Sequence, residues 1–306
     1  MSTVHHSKFV LLLGLLSAIS LLSAASPVSS QNAGVERASS VPLFRHIDPS
    51  KKDPNLKAYK VIRFAVTDDF PPFSYRTKNG ALSGFNIAIA NSVCRTLRVE
   101  CRFMVKSFDG ASTAVETGQV DAMITGLRET AKTGQVFSFT RPYYRFSARF
   151  AVRQSTSIAS NDVRTLAGKR LGAVAGTYHA QFLKDNFRYS KIREYANLAK
   201  SYEALRTGAV DALFGDSLKL MFWIKGDRSK NCCRFAGDAY LDPQTFSPPM
   251  AIAVKRGNKK LLDLLDHALD RQQVSGRFSK IFRQYFPLSP WLSDKVEKPA
   301  TKESAS

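Results

Sequence analysis

Acidic residues are scarce in this chain of 306 residues: 25 aspartates and glutamates stand against 45 lysines and arginines, a formal charge of +20. A balance of that sign admits nucleic acid, an anionic membrane or an anionic ligand as partners. The basic residues are scattered, however, and no RNA- or DNA-binding motif occurs among them. A generally basic surface is the reading, and nucleic acid is not an expected partner. Histidine and cysteine are also sparse, with five and four residues. Four cysteines at these spacings without clustered histidines argue against a zinc centre, and neither a metal nor another cofactor is expected. Long apolar runs are missing after the first 25 residues, so nothing later is apolar enough to span a bilayer. No coiled-coil pattern or repeat array occurs either, which favours a monomer.

What is present is a core-forming composition, 44% hydrophobic, in a chain long enough for two domains. It begins with His5-His6-Ser7-Lys8, an apolar run from Phe9 to Leu22, and the small residues Ser23-Ala24-Ala25-Ser26. This is the three-part layout of a secretory signal peptide, residues 1–25, with cleavage after Ala25. Residues 26–57 are polar and carry Pro27, Pro42, Pro49 and Pro54, which reads as a linker.

Two stretches then repeat each other. Thr117-Gly118-Gln119-Val120-Asp121-Ala122 and Thr207-Gly208-Ala209-Val210-Asp211-Ala212 share Thr-Gly-x-Val-Asp-Ala, with Gly118 and Gly208 lying 90 positions apart. Each follows a helix-like run (111–116 and 198–205), so each glycine is placed to end a helix in the left-handed conformation. The apolar runs after them, 120–124 and 210–214, read as buried parallel strands. Thr125-Gly126 and Asp216 follow those strands. Ligands of open α/β sheets sit beyond the carboxyl ends of strands, so the repeat predicts two similar α/β lobes facing one ligand.

The remaining segments fit that plan. Val61 to Val66 is a β-rich first strand, followed by Phe70-Pro71-Pro72-Phe73, a stiff loop able to present a ring. Gly84-Phe85-Asn86-Ile87 opens a helix running to about Leu97. This order resembles family 3 of the periplasmic solute-binding proteins, the polar-amino-acid class that serves ABC importers. Ser138-Phe139-Thr140-Arg141-Pro142-Tyr143, Leu166-Ala167-Gly168-Lys169-Arg170-Leu171-Gly172 and Gly176-Thr177 resemble further family segments in the family's order.

The resemblance implies an α/β chain of the periplasmic binding protein-like II fold, two lobes joined by a two-strand hinge. Lobe 1 would comprise 58–153 and 250–288, lobe 2 the inserted 154–249, and 289–306 a disordered tail. It also implies a Cys94–Cys101 disulfide in an oxidising, periplasmic location; two buried thiols are the alternative. Cys232 and Cys233 are left open between a vicinal disulfide and free thiols. The implied ligand set is Phe70 and Phe108 as walls, Thr125 and Gly126 through their backbone, Thr177 and Tyr178 as a helix-opening anion site, and Asp216 for an ammonium. Core packing for the two rings and a helix N-cap for Asp216 are the plain alternatives.

One departure bears on the ligand. The family often carries Ser-x-Thr-x-x-Arg after the first repeat strand, its arginine clamping a carboxylate. Here the corresponding run is Arg128-Glu129-Thr130-Ala131-Lys132-Thr133, with threonine in the clamp position. Arg128 is the candidate to take over that role; a solvated arginine paired with Glu129 is the competing reading. Asn86 and Ala88 replace acids usual in the family, which points the same way. The function so implied is a periplasmic receptor that closes on a small amino-acid-like or anionic solute and delivers it to an inner-membrane ABC permease. It is not an enzyme. Relatives of the cyclohexadienyl-dehydratase type need a general acid in the cleft, and Glu194, Glu203 and a helix-exposed His179 are the only candidates. A fold repurposed to contact a periplasmic partner protein is the third reading.

Overall fold

The structure, a computed structural model, describes residues 59–292 together with Ile47 and Pro54. The expected signal peptide, nearly all of the linker and residues 293–306 lie outside the described residues.

Two five-stranded sheets form the two lobes. In the first, Val61–Val66 lies parallel to both Glu100–Val105 and Ala122–Met123. Ala253–Lys255 adds antiparallel beside Ala122–Met123, and Phe137–Phe139 closes the edge. In the second, Arg170–Val174 lies parallel to Lys191–Tyr195 and Ala212–Asp216. Ala148–Arg153 and Cys233–Tyr240 complete it, antiparallel. The helices are α1 (Phe85–Leu97), α2 (Phe108–Glu116), α3 (Tyr178–Asn186), α4 (Leu198–Thr207), α5 (Ser217–Lys225), α6 (Lys259–Val274) and α7 (Arg277–Tyr285). The apolar stripe of α6, Leu261, Leu264, Leu265 and Ala268, packs with Phe278, Ile281 and Phe282 of α7 onto the core that α1 shares with the first sheet.

The repeated segments occupy equivalent places. α2 and α4 end at Gly118 (φ 75°) and Gly208 (φ 84°), a left-handed geometry that suits glycine. The repeat's aspartate is a fastener. Asp121 accepts from the Arg63 amide N–H (2.8 Å), Nε (3.0 Å) and Nη2 (2.7 Å), and Asp211 does the same from Arg170 at 2.9, 3.1 and 2.6 Å. Each pair locks the start of a repeat strand to the strand beside it. Asp211 is held below the usual carboxylate range by its Arg170 hydrogen bonds. Burial alone would raise Asp121, and the Arg63 hydrogen bonds more than offset it.

Three expectations are corrected. Ala148–Arg153, assigned from sequence to lobe 1, pairs residue for residue with Ala212–Asp216 and belongs to the second sheet. A fully apolar run reads alike in either sheet, and only its partner decides. The crossing between lobes is therefore the short ribbon of Tyr144–Arg145 against Pro249–Met250. The tail boundary also moves. Ser289 and Trp291 are buried, and the Trp291 Nε1–H donates to the Arg145 carbonyl at 2.8 Å. Nothing periodic marks that segment, because side chains some 140 residues earlier hold it. Asn86, read as a sign of altered binding, is fully buried: its Nδ2 donates to the Ile124 carbonyl and its Oδ1 accepts from the Tyr143 hydroxyl.

Both cysteine pairs are disulfides. Cys94–Cys101 ties the end of α1 to the strand Glu100–Val105, and Cys232–Cys233 is vicinal at the start of Cys233–Tyr240.

Candidate functional site

A cavity of about 860 Å³ opens at the carboxyl ends of the second sheet's parallel strands. Its walls are the first turn of α3 (Gly176 to Gln181), Asp216, Glu194, and the rings of Phe146 and Phe246. Sheet order explains the convergence: Arg170–Val174 runs straight into α3 and Ala212–Asp216 into α5, so both helix starts meet at one sheet end.

Asp216 serves two roles. Its Oδ1 accepts the Lys219 amide N–H at 2.8 Å, so it is the N-cap of α5. Asp216 also lines the cavity, and among the described residues it has no ion-pair partner. Burial raises its carboxyl above the ordinary value, partly countered by the Lys219 amide and charge. A desolvated carboxylate that feels a lysine charge but makes no ion pair still favours a bound cation. The other acid on the wall, Glu194, is satisfied by Lys184 at 2.5 Å.

Thr177 caps α3. Its Oγ1 accepts from the Ala180 amide at 3.3 Å and donates to the Val174 carbonyl at 2.7 Å. The hydroxyl proton is thereby committed, and the donor that α3 offers the cavity is the positive end of the helix. Tyr178 stands beside it, 65% exposed. His179 is not the exposed helix histidine expected from sequence. Its ring stacks on Phe246 with centroids 5.3 Å apart and planes 19° apart, and its Nε2 is sealed without a hydrogen-bond partner. Burial, and secondarily the Lys219 charge, push it down to about 4. The imidazole is therefore neutral near pH 7.

Of the sequence candidates, the structure brings Thr177, Tyr178 and Asp216 together on this cavity. Phe70, Phe108, Thr125, Gly126 and Arg128 sit on lobe 1 and do not border it. Phe70 stacks on Phe73 at 4.9 Å, and a Cβ placed on Gly126 would lie 3.4 Å from the Phe70 ring and from the Met250 methyl at the crossing. Thr125 is buried with an unpartnered hydroxyl. Phe108 begins α2 and is 48% exposed. Arg128 is exposed and forms no ion pair with Glu129 among the described residues. Thr133, in the clamp position, accepts the Thr130 amide N–H and donates to the Arg128 carbonyl, both at 2.8 Å. It shapes the loop and carries no charge. The sequence reading missed Phe146 and Phe246 as walls. Phe246-Ser247-Pro248-Pro249 holds the same ring-before-prolines signal that marked Phe70.

Residues 62–288 match the bacterial extracellular solute-binding proteins, family 3. ABC transporter arginine-binding protein 1 of Escherichia coli is 31% identical over 75% of this chain and 92% of its own length. The L-arginine-binding protein of Pseudomonas aeruginosa is 28% identical over 79% of this chain and 93% of its own. Among solved structures, the second substrate-binding domain assigned to an amino acid ABC transporter of Streptococcus pneumoniae aligns with TM-score 0.62 and 27% identity, over 74% of this chain and 99% of that one. The unliganded L-cystine receptor of Neisseria gonorrhoeae aligns with TM-score 0.66 at 15% identity, over 78% and 97%, a likeness of fold.

Proposed function

The chain belongs to family 3 of the bacterial extracellular solute-binding proteins, and from that premise we propose that its solute is a cationic amino acid. The protein is a solute-binding receptor of the ABC-transporter type and not an enzyme. Asp216, a desolvated carboxylate on the cavity wall without an ion-pair partner among the described residues, carries the amino-acid part of the proposal, and the rings of Phe146 and Tyr178 on the same wall carry the cationic side chain. In a chain of formal charge +20, the charged groups on that wall are two acids against one lysine already spent on Glu194.

In this reading Asp216 takes the α-ammonium, and the start of α3 at Thr177 and Tyr178 takes the α-carboxylate. The rings of Phe146 and Tyr178 flank the side chain, where a guanidinium or ammonium gains from aromatic faces. Phe70, Phe108 and the backbone of Thr125 and Gly126 form the opposing wall, and Arg128 supplies a second anion contact, as lobe 1 closes. Closure is a population shift driven by the ligand's preference for the closed form. Export through a signal peptide cleaved after Ala25, action as a monomer and docking on an inner-membrane permease complete the proposal. The named specificities of the arginine- and histidine-binding relatives agree with it.

The test is a thermal-shift and calorimetric screen of the chain from residue 26 against L-arginine, L-lysine, L-histidine, neutral and acidic amino acids, and polyamines. A ligand binding only the folded form raises Tm by mass action. A shift confined to the cationic amino acids is expected. Binding of acidic amino acids in their place would overturn the reading.

A further inference from the structure

The chain does not leave lobe 1 at the end of α7. Residues 287–292 run on across the ribbon that joins the lobes, and they bind both sides of it. Trp291 straddles the crossing. Its ring packs against Phe282 of α7 and Tyr144 of the ribbon, centroids 5.0 Å away in each case, and its Nε1–H donates to the Arg145 carbonyl at 2.8 Å. Its own carbonyl accepts the Ala239 amide N–H at 2.7 Å, from the outer strand of the second sheet.

The neighbouring residues are gripped from lobe 2. Arg149, 1% exposed within the strand Ala148–Arg153, donates through Nη1 to the Ser289 carbonyl (2.8 Å) and the Leu292 carbonyl (3.0 Å), and through Nη2 to the Gly237 carbonyl. The Ser147 hydroxyl donates to the Pro290 carbonyl at 2.8 Å and meets the Ser217 hydroxyl at the first residue of α5. Ser217 follows Asp216 directly, so the same grip reaches the residue next to the cavity's carboxylate. Leu288 packs against the cores of both lobes.

We infer that residues 287–292 are a third connection between the lobes and that Trp291 and Arg149 are positioning residues for lobe closure. Two ribbon strands alone leave a hinge free to bend about their axis. A third contact, bonded on one side to the ribbon and α7 and on the other to the second sheet, resists that rotation. The cavity is bordered by lobe-2 and crossing residues and by none of the lobe-1 candidates, and on this inference that arrangement is the open form. The bonds made by the strap in this arrangement therefore stabilise the open form and set how much affinity the solute must spend to close it.

The test needs no ligand for its main readout. Spin labels attached through non-cysteine chemistry at exposed Lys78 and Arg188, one on each lobe, report the inter-lobe distance in the chain from residue 26. Two variants are compared with the wild type: a stop after Leu288, and Trp291→Phe, which keeps a ring but loses the Nε1–H. Both are expected to move the ligand-free distribution toward shorter distances. For Trp291→Phe, losing one buried hydrogen bond from the open form lowers the Kd for L-arginine about fivefold, the factor given by about 1 kcal/mol.

If the distributions superimpose on the wild type, or move to longer distances, while only Tm falls, the segment is a packing plug and the inference is wrong. If the stop variant does not fold, Trp291→Phe alone decides. The affinity readout rests on the cationic amino acid reading, whereas the distances do not. Absence of arginine binding in the wild type would defeat that reading and leave the strap to be judged by the distances.

Discussion

Replacing Asp216 by asparagine separates its two roles. Asparagine caps a helix about as well as aspartate, so the bond from the Lys219 amide at 2.8 Å survives and stability changes by no more than about 0.5 kcal/mol. The charge does not survive. An ammonium bound at this wall then loses its counterion in a site that has already stripped the carboxylate of water. Truncating one partner of such a pair costs on the order of 2–5 kcal/mol; a mid-range loss of about 3 kcal/mol raises Kd roughly 150-fold. Asp216→Ala removes the cap as well, and adds about 1 kcal/mol of lost stability to the same loss of affinity. Titration calorimetry with L-arginine, run beside urea unfolding of each variant, reads both quantities. The pH dependence has a definite sign. Because burial raises the Asp216 carboxyl, the charge disappears as pH falls through that raised value, and affinity weakens toward acid before an exposed aspartate would titrate. An Asp216→Asn protein of unchanged stability that binds arginine within threefold of the wild type would refute the assignment.

Arg128→Ala is expected to raise Kd for the same ligand without moving Tm, since the side chain is exposed and unpaired among the described residues; an unchanged Kd would remove it from the site. Asp211→Asn and Asp121→Asn should each cost about 1–2 kcal/mol in urea unfolding, discounted for arginine partners 36% and 42% exposed. Their carboxyls are depressed in the folded protein, so this stability is present above the unfolded value and is lost as pH falls through the folded one; variants that keep the wild-type acid profile would contradict the pairing. His179 should stay neutral by ring NMR down to about pH 4. The unfolded chain takes up that proton near 6.5, so stability drops as pH falls between the two values, and a ring titrating near 6.5 would show that the site is wet. Gly84→Ala should destabilise by roughly 3 kcal/mol or more, because φ is 128° and a Cβ would lie 2.2 Å from the Phe73 carbonyl oxygen; a Tm within a degree of wild type would exclude that geometry.

Much of the architecture was legible because it rests on short-range signals. The strand Val61–Val66 fell where its apolar run predicts. The helix ends at Gly118 and Gly208 follow from glycine's access to positive φ, and Asp216 falls at a strand end because the strand pattern stops there. The repeat likewise foretold the matching halves of the two sheets. Its aspartate was less legible: Val-Asp-Ala names a position, but Arg63 and Arg170 lie 58 and 41 residues away in the chain, and nothing in either run announces the pairing.

What the chain determined by itself was the local grammar: which segments become helices and strands, where they stop, and which residues stand at strand ends where a solute can be met. Those outcomes depend on neighbours within a turn or two, through periodicity, capping and glycine. Tertiary structure alone decided which sheet received Ala148–Arg153, that His179 is sealed against Phe246, and that residues after α7 bind across the lobe crossing. Each of those depends on partners brought together from distant positions, where the free energy lies in burial and hydrogen bonds between segments.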